Sequence, residues 1–79
     1  MRILFFAQLK DVTGRDEVQW PNVEGLDAEA IWNRLLQDFP ALAPHRPVTR
    51  LACNLEFVAP GTLFGPEDEV ALIPPVSGG

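Results

Sequence analysis

The chain has 79 residues, enough for one small domain with a modest core. Its composition, 47% hydrophobic and 22% charged, is that of a globular rather than a disordered protein. A net charge of -5 argues against nucleic-acid binding, which needs a basic face, and no segment approaches the length of a membrane span.

The start, Met1 to Ala7, superficially resembles a secretory signal. Its apolar run is too short and no small-residue cleavage site follows, so it reads as structure. Ile3 to Leu9 is a dense apolar run and predicts a buried strand. Asp11 to Arg15, with Gly14, reads as a turn. Asp16 to Trp20 alternates, with Val18 and Trp20 on one face, and predicts a second strand that Pro21 ends. Asp27 is a candidate N-cap, with Glu29 placed for the helix dipole. Ala28, Ile31, Trp32, Leu35, Leu36 and Phe39 then follow a 3.6-residue period, and Pro40 stops the helix. Residues 40–50 hold Pro44 and Pro47 and read as a connecting loop. Leu51 to Val58 is strand-like, with a turn near Asn54-Leu55. Pro60-Gly61 and Gly65-Pro66 are turns, and Val70 to Ile73 is a last strand that Pro74-Pro75 closes.

The predicted order is β-β-α-β(-β)-β. One amphipathic helix needs one sheet face to cover it. The first and last strands are both strongly apolar, which places them side by side at the centre. This predicts an α+β, β-grasp (ubiquitin-like) fold: a mixed sheet of four to five strands with one main helix on one face. Residues 1–75 form the domain and residues 76–79 an extended tail.

Conventional active-site chemistry is hard to find. His45, the single histidine, has no evident partner and reads as a surface residue. Cys53 sits among apolar strand neighbours and reads as a buried small hydrophobe. It has no disulfide partner, which fits a reducing, cytoplasmic location. Glu67-Asp68-Glu69 reads as a solvated turn or a patch for basic residues, because adjacent turn residues rarely converge on one ion and no histidine is near. No metal site and no phosphate-binding glycine loop is expected.

The tail remains. Gly78 and Gly79 at the end of a chain arise by chance roughly once in 200 sequences, so alone they say little. Pro74 and Pro75 favour extended geometry and stiffen the root. Val76 to Gly79 then reaches about 13 Å further. Small Ser77 and two glycines suit a tunnel that admits only backbone. A glycine carboxylate is open to attack once it is activated as an acyl-adenylate.

The chain resembles the small subunits of molybdopterin synthase, the MoaD-type sulfur carriers of the ubiquitin-like MoaD/ThiS family. The resemblance rests on Leu4-Phe5-Phe6-Ala7-Gln8 in the first strand, Gly14 in the first turn, and Asn54 in the third strand. It also rests on the run from Asp68-Glu69-Val70-Ala71 to Pro74-Pro75-Val76-Ser77-Gly78-Gly79. Residues 21–50 share only the helix pattern. The resemblance implies that an E1-like, MoeB-type adenylating enzyme consumes ATP to form a transient glycyl-adenylate at Gly79. Sulfur from a desulfurase or rhodanese-type donor would replace AMP and leave a thiocarboxylate. Val76, Ser77 and Gly78 would insert into a MoaE-type large subunit, which supplies the catalytic side chains. Gly79 would pass sulfur to cyclic pyranopterin monophosphate in molybdenum cofactor biosynthesis. The family assembly is a heterotetramer, and no permanently bound cofactor is implied.

Strand parity gives an expected docking surface. If Ile3, Phe5 and Ala7 face the helix, Leu4 and Phe6 face away. Likewise Val70 and Leu72 face in, and Ala71 and Ile73 face out. A patch of Phe6, Ile73 and Phe57, with Pro74 and Pro75 at the tail root, would mark a partner interface. Three other readings stand beside this one: a thiamine-type sulfur carrier, a ubiquitin-like modifier joined to lysines, and an interaction module with an inert tail.

Overall fold

The computed structural model describes residues 1–21, 25–54, 56–59 and 61–75. Strand β1, Arg2–Phe5, buries Ile3 and Phe5 completely and exposes Arg2, as period-two alternation requires. It pairs antiparallel with β2, Glu17–Gln19, with Ile3 opposite Val18. Trp20 is buried and Val18 packs against the core, so the two share a face as their spacing predicts.

The connection between these strands corrects the sequence reading twice. The first strand ends at Phe5 rather than Leu9, and Asp11 to Arg15 is not a simple turn. Ala7 has φ 51°, which breaks the strand, and helix α1, Gln8–Thr13, follows. Ala7 therefore does not face the main helix; it is exposed. Leu9 is fully buried and Val12 packs beside it, an i, i+3 pair on one short face. Gly14, at φ 72°, closes the helix in left-handed geometry and donates its N–H to the Lys10 carbonyl at 2.7 Å.

Helix α2, Ala28–Asp38, starts where Asp27 accepts the Ala30 N–H at 2.8 Å. Its inner face buries Ile31, Trp32 and Leu35. Phe39 closes it and meets Phe5 edge-on, with ring centroids 5.6 Å apart. The stretch expected as a loop is a 3₁₀ helix, Pro40–Val48. Its prolines hold φ near helical values, and Leu42 anchors it with no exposed surface. Residue separation of three, rather than four, hides this element from an α-helical period.

Strand β3, Arg50–Cys53, pairs antiparallel with β4, Glu56–Phe57. Asn54 belongs to the turn between them and not to the third strand; it adopts φ 51°, which asparagine tolerates better than most residues. Strand β5, Glu69–Ile73, lies parallel to β1 and antiparallel to β3. The sheet order is β2-β1-β5-β3-β4, with first and last strands adjacent at the centre. The fold is therefore α+β and of β-grasp type, a five-stranded mixed sheet with α2 packed on one face. Between sheet and helix lie Ile3, Phe5, Leu9, Ile31, Leu35 and Leu72, each essentially free of solvent. Among the described residues no helix is long and apolar enough to cross a membrane.

Candidate functional site: an apolar sheet face at the root of the tail

The sheet face away from α2 carries the outward residues that parity predicts. One cross-strand row runs Leu4, Ala71, Ala52, Phe57, because each residue is the Cα partner of the next. The two central alanines are small and the outer residues large, so the row forms a hollow. Phe6 and Ile73 close it on the side where β5 leads into Pro74. The cavity holds about 210 Å³. Phe6 is 41% exposed and Phe57 62%, a large apolar surface to leave in water. No described loop covers them.

Charged residues border the hollow. The Arg2 guanidinium donates two hydrogen bonds to Glu17, at 2.8 and 3.0 Å, and one to Glu69 at 2.9 Å. These pairs span β2, β1 and β5. The hydrogen bonds from Arg2 hold the Glu17 carboxyl below its ordinary value, and Glu17 in turn raises Arg2. Both groups are exposed, so solvent and salt weaken the effect. On the other border, the Arg50 guanidinium lies 5.4 Å from the Phe57 ring centroid.

Beyond Ile73 the chain continues through half-buried Pro74 and exposed Pro75. Val76, Ser77, Gly78 and Gly79, the residues expected to insert and to react, lie outside the described residues. The structure thus brings Phe6, Phe57 and Ile73 to one face, and Pro74 follows Ile73 directly in the chain at the tail root. Sequence reasoning missed Ala52 and Ala71 as the floor of the hollow. Their only signal is small size at facing positions, which is visible once strand register is known.

The other candidates are placed elsewhere. His45 sits in the 3₁₀ helix, where its carbonyl accepts the Thr49 hydroxyl at 2.7 Å. Cys53 is half-buried rather than fully buried. Burial, reinforced by Asp68, pushes its thiol up, so it is a weak nucleophile at neutral pH. The acidic turn is more structured than expected. Asp68 accepts the Gly65 N–H at 2.7 Å and the Asn54 side-chain amide at 3.3 Å, and Glu69 is held by Arg2. Among the described residues no cluster of His, Cys, Asp or Glu is arranged to hold a metal ion.

Comparison with known proteins agrees with this arrangement. The chain matches the ThiS family over residues 3–79. It is 37% identical to the molybdopterin synthase sulfur carrier subunit of Mycobacterium tuberculosis, covering 100% of this chain and 96% of that protein. The corresponding subunit of Caenorhabditis elegans is 35% identical, with 100% and 96% covered. The crystal structure of SAMP1 from Haloferax volcanii superposes with a TM-score of 0.80 at 28% identity, covering 99% of this chain and 97% of that one. A central parallel β1–β5 pair, an open apolar face and a full-length match lead to one assignment: the chain belongs to the ThiS family, with molybdopterin synthase sulfur carrier subunits as its full-length relatives.

Proposed function

We propose that this protein is the sulfur carrier subunit of a molybdopterin synthase and acts through Gly79. The observation that carries the reading is full-length likeness to sulfur carrier subunits of that enzyme. The apolar face supports it, since it ends where β5 passes into Pro74 and Pro75. In this reading residues 1–75 are the folded anchor and residues 76–79 the working arm. A MoeB-type enzyme adenylates the Gly79 carboxylate with ATP and releases pyrophosphate. The terminal sulfur of a donor persulfide then attacks the carbonyl and displaces AMP as an acyl disulfide, and a thiol reductant cleaves the S–S bond to leave the thiocarboxylate. Val76, Ser77 and Gly78 carry that group into a MoaE-type large subunit, where sulfur passes to cyclic pyranopterin monophosphate. Phe6, Phe57, Ile73, Pro74 and Pro75 form the contact surface. The domain contributes sulfur and docking, while catalytic side chains belong to the large subunit. ATP is consumed by the activating enzyme and not held by this chain. The work is cytoplasmic and involves neither nucleic acid nor membrane.

The test is intact mass after incubation with ATP, an activating enzyme of proven activity and a sulfur donor. The expected result is a gain matching one oxygen-to-sulfur exchange, absent when Gly79 is deleted. An unchanged mass would refute carrier chemistry. Transfer to the pterin precursor rather than to a thiazole-forming enzyme separates the molybdopterin pathway from a thiamine-type one.

A second reading rests on the SAMP1 likeness, because that protein is named a small archaeal modifier. Under it, Gly79 would form isopeptides with lysines. Tryptic peptides bearing this tail on lysine, recovered from cell lysate, would favour modification over sulfur carriage.

A further inference from the structure

Phe57 is a wall of two depressions. On the open sheet face it lines the hollow floored by Ala52 and Ala71. It also lines a groove of about 290 Å³ between β3, β4 and the first turns of α2. Trp32, Leu51 and Val58 give that groove apolar walls, and among the described residues Arg50 is the one charged residue that lines it. Arg50 is placed by its backbone and by a ring together. It is the Cα partner of Ile73, the last residue of β5 before the tail root, and its guanidinium lies 5.4 Å from the Phe57 ring centroid. A guanidinium over a ring keeps its N–H edge free for a carboxylate.

The charge at this place departs from that of the whole protein. The net charge is -5, yet from Phe39 to Leu55 the sequence holds no carboxylate, while Arg46 and Arg50 are both present. Arg50 makes no ion pair among the described residues, unlike Arg2, which Glu17 and Glu69 hold. Arg46 stands outside the groove, 5.9 Å from the ring centroid of Trp32, and adds a second positive charge beside one of its walls.

We infer that Arg50 is a specificity-determining residue of the docking surface: the protein partner that covers the apolar face wraps around Phe57 and sets an Asp or Glu side chain against Arg50. The occupant is a protein surface because Phe57 makes hollow and groove continuous, so a partner that covers the exposed ring meets both. Its contact here is acidic because the lining offers one cation and no carboxylate to answer it. The contact is made by side chains and adds no strand to the sheet, whose β4 spans two residues. A second copy of this chain fits less well, since Glu17 and Glu69, the carboxylates bordering its own apolar face, are already held by Arg2. Pairing of Arg50 with Ile73 means that the contact also steadies the sheet at the root of the tail. The inference rests on the carrier reading above, in which that partner is the large subunit.

The test is calorimetric titration of the full chain with the MoaE-type large subunit of the same organism, at low and at high salt. Arg50→Ala is expected to bind about ten-fold more weakly. Arg50→Glu is expected to bind at least about 100-fold more weakly, because like charges then face each other. Salt should weaken the wild type more than Arg50→Ala, which has lost the charge being screened. Arg50→Lys keeps the charge without the planar stack and is expected to retain the wild-type salt dependence. Arg15→Ala changes the net charge equally from an exposed position before β2, at the opposite edge of the sheet, and is expected to bind as the wild type does. Arg50 is exposed, so its truncation leaves no gap in the core, and circular dichroism checks that each variant is folded. Wild-type affinity in Arg50→Glu, an equal loss in Arg15→Ala, or an unaltered salt dependence in Arg50→Ala overturns the proposal and leaves the carrier reading standing. Failure of the wild-type chain to bind the large subunit overturns both.

Discussion

Phe6 and Ile73 lie side by side on the open face of the sheet, because Phe5 and Leu72, the residues before them, are Cα partners in the parallel β1–β5 pair. Phe5 and Leu72 point into the core; Ile73, the next residue of β5, turns outward, and Phe6, just past the end of β1, is exposed on the same side. One register thus builds both the core and the candidate interface.

Replacing this outward pair should separate binding from folding. In the double variant Phe6→Asp, Ile73→Lys, affinity for a MoaE-type large subunit is expected to fall at least about 30-fold, since central apolar anchors typically contribute about 2 kcal/mol or more. The urea midpoint should move little, because neither side chain is buried. Calorimetric titration measures the first and circular dichroism the second. Unchanged affinity would remove this face from the interface.

Leu9 should behave as a core residue despite its place in a short connecting helix. It has no exposed surface, and Leu9→Ala is expected to cost about 2–5 kcal/mol in urea unfolding. A loss under about 1 kcal/mol would mean that α1 is peripheral.

Asn54 joins backbone strain to hydrogen bonding. Its φ is 51°, its amide group donates to Asp68 at 3.3 Å, and its side-chain oxygen accepts the Glu69 N–H at 3.2 Å. Asn54→Ala should lose about 1–3 kcal/mol, combining strain with lost bonds. Asn54→Gly should lose less, because glycine tolerates positive φ. Equal losses in chemical denaturation would show that the backbone conformation contributes nothing.

Acidification should expose the Arg2–Glu17 pair. The Glu17 carboxyl is held below its ordinary value in the folded protein, so the unfolded chain binds its proton first as pH falls. The contribution is fully present above the ordinary carboxylate range and is lost as pH drops through the lowered folded value. Glu17→Gln should remove that part of the pH dependence, and added salt should shrink it. Thermal melts of both proteins between neutral and strongly acidic pH test this. Parallel profiles would contradict a coupled pair.

Helix α2 was legible in the sequence because its signals are local: Asp27 accepts from Ala30, the apolar period follows, and proline ends it. The two alternating sets of residues in β1 and β5 were legible for the same reason, since alternation needs no partner strand, but the fold decided which set faces the helix. Helix α1 was not, because six residues hold too little of a period to stand out from an apolar run. The 3₁₀ helix was hidden by its prolines, which signal a loop as readily as they fit a tight helix.

The sequence by itself determined which residues could leave water and where the main helix starts and stops, and it singled out the Gly-Gly end as the expected seat of chemistry. These follow from side-chain polarity and backbone freedom at single positions. Only the tertiary structure decided that Leu4, Ala71, Ala52 and Phe57 form one row and that two unremarkable alanines open a hollow between larger side chains. It also made Phe57 a wall shared by that hollow and the groove lined by Trp32 and Arg50. The reason is physical: strand register is set by hydrogen bonds between segments far apart in the chain, and no local period encodes it.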